Sequence, residues 1–61
     1  MYLVRFVRRD RQPDEEYFYN NRQDADHHLN LFRDDDSGLY FRIELMKVAG
    51  PLETVIEAIR F

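Results

Sequence analysis

Residues 39–48, LYFRIELMKV, place Leu39, Phe41, Ile43 and Leu45 on one side of an extended chain. Tyr40, Arg42, Glu44 and Met46 fall on the other. This period of two marks a β-strand, because a helix would scatter both sets around its axis. A strand cannot fold alone. It needs neighbours along its edges and cover for its apolar face. The Leu39, Phe41, Ile43 and Leu45 side is expected to take that cover from a helix.

The rest of the chain supplies both. Residues 2–8 alternate Tyr2, Val4 and Phe6 against Leu3, Arg5 and Val7, with the aromatic and β-branched content that suits strands. Residues 9–14, RDRQPD, form a polar connection broken by Pro13, and residues 15–19, EEYFY, form a second strand. Asn20 and Asn21 then open a helix. Asparagine oxygen accepts an orphan backbone N–H at a helix start, and Asn21 followed by Asp24 resembles a capping box. Ala25, His28, Leu29 and Phe32 fall on one stripe. The helix is expected to stop near Asp34, with Gly38 just beyond. Asp34, Asp35 and Asp36 would then sit at the negative pole of the helix dipole, where acids are unfavourable.

Ala49-Gly50-Pro51 is a turn. After it, LETVIEAIRF carries β-branched residues and follows a strand whose edge needs a partner, which predicts a fourth strand. Leu52, Val55, Ile56 and Ile59 also have helical spacing, and Pro51 suits a first helical position. The fold expected is therefore α+β over a single domain, 1–61: a four-stranded antiparallel sheet with one helix on one face, β-β-α-β-β. The alternative ends in a helix, β-β-α-β-α.

Sixty-one residues bury only about 60% of the surface of the unfolded chain, so domains of this size usually need a staple. The sequence contains no cysteine, which excludes disulfides and thiolate metal sites. Oligomerisation remains, and a homodimer is the simplest form. No apolar run approaches the roughly 18 residues of a membrane span. At the N-terminus the charge follows the apolar part, the reverse of a signal peptide, so the expected location is cytoplasmic.

The net charge is −3. It is split between an Arg5, Arg8, Arg9 and Arg11 cluster and an acidic stretch from Asp14 to Asp36. Glu15 and Glu16 lie across the first hairpin from the cluster as natural ion-pair partners. Arginines near Tyr2, Tyr17 and Tyr19 are a possible surface for single-stranded nucleic acid, but the acidic whole opposes it. Asp34-Asp35-Asp36-Ser37-Gly38 resembles the start of a calcium loop. The pattern fails, because Leu39 and Leu45 stand where glycine and glutamate are required. Asp24 and His28 lie one helical turn apart with no third ligand nearby, and His28 reads as the edge of the core stripe. Ser37 is the only serine and Thr54 the only threonine, and no glycine-rich phosphate loop exists. No catalytic residue, cofactor or metal is expected.

The strongest surface signal is apolarity on both sides of the sheet. The outer face is expected to carry Leu3, Val7, Tyr19, Tyr40, Met46 and Val48, interrupted by Arg5, Arg42 and Glu44. Tyrosine, methionine and arginine are enriched at interfaces, so this face is the expected self-association surface. The segment from Gln23 to Leu45, with Asp24-Ala25-Asp26-His27-His28-Leu29-Asn30-Leu31-Phe32 and Asp34-Asp35-Asp36-Ser37-Gly38-Leu39-Tyr40, resembles small uncharacterised proteins of Gram-positive bacteria and their mobile elements. That resemblance implies a ββαββ fold with a C-terminal strand, and no activity or site residues.

Three functions follow as expectations. The first is a self-associating interaction or structural module. The second is a phage- or mobile-element-type acidic inhibitor that presents Asp24, Asp26, Asp34, Asp35 and Asp36 to a basic, nucleic-acid-binding site of a host protein. The third is a weak nucleic-acid binder acting through the arginine cluster.

Overall fold

A computed structural model describes residues 1–61. It contains β1 (Tyr2–Arg8), β2 (Glu15–Tyr19), α1 (Arg22–Leu31), β3 (Tyr40–Ala49) and β4 (Leu52–Arg60). The sheet is antiparallel with strand order β2-β1-β3-β4. The terminal segment is therefore a strand: pairing with β3 satisfies its backbone along one edge, which a helix of that length would leave β3 without. The turn before it uses Gly50 at φ 60, the left-handed region a two-residue hairpin loop requires.

Val4, Phe6, Ala25, Leu29, Tyr40, Ile43 and Leu45 form the core between helix and sheet. The helix covers β1, β2 and β3 and does not reach β4. Asn21 caps it as expected, its Oδ1 accepting the Asp24 N–H at 2.9 Å. The helix ends sooner than the sequence suggests, with Leu31 its last residue and Phe32 its C-cap. Asp34, Asp35 and Asp36 thus lie in the following turn, and dipole effects fade within the last helical turn. Their electrostatic cost is correspondingly smaller.

The alternation in β3 breaks at its start. Val7 pairs with Arg42, but Arg8 pairs with Tyr40, leaving Phe41 as an extra residue. This bulge reverses the side-chain phase. Tyr40 turns into the core, 9% exposed and in edge contact with Phe6 and Phe32, while Phe41 and Leu39 are exposed. A second bulge lies in β4, where Leu45 pairs with Glu57 and Met46 with Val55, leaving Ile56 extra.

Candidate functional site

The sheet face opposite the helix, here called the open face, has no element of the chain over it. Its residues follow from the register. Leu3 lies opposite Phe18 on β2 and Met46 on β3, and Met46 lies opposite Val55 on β4. Phe18, Leu3, Met46 and Val55 therefore form an apolar row across all four strands. On one side of it runs the row Glu16, Arg5, Glu44, Ala58, and on the other Val48 faces Glu53.

Arg5 is the hub of this face. Its Nε donates to Glu16 at 2.7 Å and its Nη2 to Glu53 at 3.0 Å. Arg5 and Glu53 stand in the rows flanking the apolar one, so the ion pair between them crosses it. Arginine stems commonly lie on apolar surface while the charged head stays hydrated. The bridge spans the part of the face where Leu3 is 0% and Met46 4% exposed. Phe18 and Val55, at the two ends, remain 55% and 49% exposed. The two glutamates raise the Arg5 pKa by hydrogen bonding, Glu16 most strongly.

The six residues expected to form the self-association surface are thus distributed differently. Leu3, Val7, Met46 and Val48 belong to the open face, with Val7 and Val48 half-buried. Tyr40 and Tyr19 do not. The bulge at Phe41 buries Tyr40, and Tyr19 faces the helix because it lies opposite Tyr2 on the inner side of β1. Phe18 and Val55 take their place. The signal for Phe18 was present in the hairpin, since a register pairing Tyr2 with Tyr19 sets Phe18 beside Leu3. Val55 required the bulge in β4.

His28 is a second departure from expectation. It sits at the centre of an aromatic cluster rather than at the edge of the stripe, with ring centroids 5.1 Å from Phe6, 4.9 Å from Tyr17 and 5.8 Å from Phe32. Burial, aided by the neighbouring charge of His27, lowers its pKa. The Tyr19 hydroxyl and His28 Nδ1 share a hydrogen bond, 2.7 Å apart. Asp24 is engaged with the Asn21 amide, at 3.0 Å. No group of three metal-ligating side chains forms anywhere in the chain.

The arginine cluster is largely engaged within the fold. Arg8 pairs with Asp10 and with Glu15, the latter at 2.8 Å. The Arg8 hydrogen bonds hold the Asp10 carboxyl at about 2. Arg9 donates to the Tyr40 carbonyl at 3.0 Å and to the Phe61 carbonyl at 2.8 Å, with its guanidinium over the Phe41 ring. It thereby ties the chain end to the start of β3. Arg11 makes no ion pair and adopts φ 63 in the hairpin loop. Glu15 and Glu16 are partners of the cluster as expected, Glu15 of Arg8 and Glu16 of Arg5.

In the turn after the helix, Asp35 accepts from the Ser37 hydroxyl at 2.6 Å, and that hydroxyl accepts the Leu39 N–H at 3.2 Å. Ser37 is therefore committed to loop structure. Asp34 and Asp36 are exposed and make no ion pair. No pocket is found on the surface, and no helix is long and apolar enough to cross a membrane. No protein-family model, curated protein or solved structure matches the chain.

Proposed function

We propose that this chain is a non-catalytic interaction module that works as a homodimer and displays the open sheet face to its partner. The observation that carries the reading is the apolar row Phe18, Leu3, Met46, Val55, which spans the sheet and is exposed at both ends. Phe18 and Val55 are large apolar side chains left exposed at the two ends of one sheet face, and each offers a contact point to a partner. The chain's only serine is held in a loop, and its most perturbed histidine is packed among aromatic rings, which favours a binding role over a chemical one. A 61-residue chain with nine buried residues and no disulfide gains most from a second copy.

Two measurements test this. Light scattering at about 0.1 mM is expected to give twice the 7.5 kDa chain mass; a monomer overturns the dimer. A pull-down with Phe18→Glu is expected to lose proteins that the wild type retains. Identical sets overturn the face.

One observation favours a second reading, the acidic inhibitor. Asp34 and Asp36 are exposed without intramolecular partners beside the structured Asp35–Ser37 turn. A basic partner retained by the wild type and lost with Asp34→Ala plus Asp36→Ala would support it. The nucleic-acid reading has less behind it, since Arg5, Arg8 and Arg9 already have partners within the fold and undetectable oligonucleotide binding at low salt would end it.

A further inference from the structure

The outer edge of β4 is the longer of the sheet's two open edges. β4 is an edge strand of nine residues with no proline inside it. The other edge, β2, has only five residues, and α1 reaches over it but not over β4. Long open edges pair with other strands unless something prevents it.

The side chains on β4 select what it pairs with. Consider two β4 strands set antiparallel about a two-fold axis perpendicular to the sheet, passing between Ile56 and Glu57. Glu53 then lies opposite Arg60 of the second copy, Thr54 opposite Ile59, and Val55 opposite Ala58, and symmetry repeats each pair. Such an axis preserves faces, so opposed residues must share one. Glu53 and Arg60 pair with Val48 and Arg42 of β3, both on the open face. Val55 and Ala58 pair with Met46 and Glu44, also on the open face. Thr54 and Ile59 pair with Lys47 and Ile43, both on the helix side. These three pairs match, and the register sets the bulged Ile56 opposite Glu57 at the axis.

They match only because of the bulge. In a regular strand, residues seven apart point to opposite faces, and Glu53 and Arg60 would be separated by the sheet. The extra residue Ile56 brings them to the same face. The two charged groups are also available. Arg60 is exposed and makes no ion pair, and Glu53 uses Oε1 for Arg5 while its Oε2 is unengaged.

We propose that the outer edge of β4 pairs antiparallel with β4 of a second copy, with Glu53 opposite Arg60, joining two four-stranded sheets into one with both helices on the same side. The inference rests on the homodimer reading and names its joint. It leaves both open faces free and continuous. Opposite charges facing each other across the joint also disfavour strands that lack the complement.

The test compares dissociation of the full chain on dilution, by light scattering or sedimentation, for wild type, Arg60→Glu, Glu53→Arg, the double variant, and an equimolar mixture of the two single variants. Each single variant sets like charges opposite each other twice, so dimerisation weakens by about tenfold or more. The double variant exchanges the charges and restores the dimer. The mixture restores it as a heterodimer, because both of its charged pairs are then opposite in sign. Glu53→Arg also removes the Arg5 ion pair; if it fails to fold, Arg60→Glu and the salt dependence of its dimerisation carry the test.

A monomeric wild type overturns the homodimer reading and the edge with it. A dimer that weakens with Phe18→Glu but not with Arg60→Glu overturns the edge alone. So does a dimer weakened by Arg60→Glu that neither the double variant nor the mixture restores.

Discussion

Replacing Arg5 with alanine removes the side chain whose ion pair with Glu53 spans the apolar row. Two ion pairs are lost, to Glu16 and Glu53, whose side chains are 40% and 41% exposed. Pairs this exposed contribute about 0.2–1 kcal/mol each. The stem is lost as well. Uncovering roughly 40–60 Å² of Leu3 and Met46 costs a further ~1–1.5 kcal/mol at about 25 cal/mol per Å². The sum is near 2 kcal/mol, a large share of the stability of a small domain. At about 1 kcal/mol/M, urea unfolding followed by circular dichroism should show a midpoint lower by roughly 1–2 M. Arg5→Met separates the contributions, because it keeps an apolar stem over the row and loses only the charge. It should recover more than half of the deficit and abolish most of the salt dependence of stability. If Arg5→Ala shifts the midpoint by less than about 0.3 M, the Arg5–Glu53 bridge does not cover the row and the account of the buried Leu3 and Met46 is wrong.

Three further outcomes follow from the structure. His28 has a folded pKa below its ordinary 6.5, so the native state binds fewer protons than the unfolded chain. Its contribution is complete above about 6.5 and is lost as pH falls toward the folded value; urea midpoints should drop across that window, and His28→Gln should flatten the drop. Leu29→Ala empties a fully buried position between helix and sheet and should cost about 2–5 kcal/mol, enough to leave the chain largely unfolded in a thermal melt. Gly50→Val places a β-branched residue at φ 60 in the last hairpin; it should lower stability by about 1–2 kcal/mol in the same melt, although nothing stands within 4 Å of the added Cβ.

Much of this molecule is legible along the chain. The alternation of Tyr2–Arg8 and of Ile43–Val48, the asparagine cap, the stripe of Ala25 and Leu29 and the Gly50 turn are local patterns, and local sterics and hydrogen bonding enforce them. They suffice for β-β-α-β and leave the last segment open between strand and helix, which its pairing with β3 decides. The absence of cysteine, the glutamates opposite the arginines and the apolar residues on both sides of β1 are equally local.

What needed the tertiary structure is everything that depends on register. One extra residue at Phe41 moves Tyr40 from the open face into the core, and one at Ile56 brings Glu53 and Arg60 to a common face. A strand's side-chain period is two, so a single unpaired residue inverts every assignment beyond it, and nothing in the alternation announces where that happens. Phe18 joins Leu3, Met46 and Val55 only when four strands are laid side by side. His28 becomes central only when β1, β2 and α1 close around it. The sequence determined the first four elements, because those choices rest on neighbours a few residues apart; the sheet decided the last strand and which residues share a face, because both depend on contacts between strands far apart in the chain.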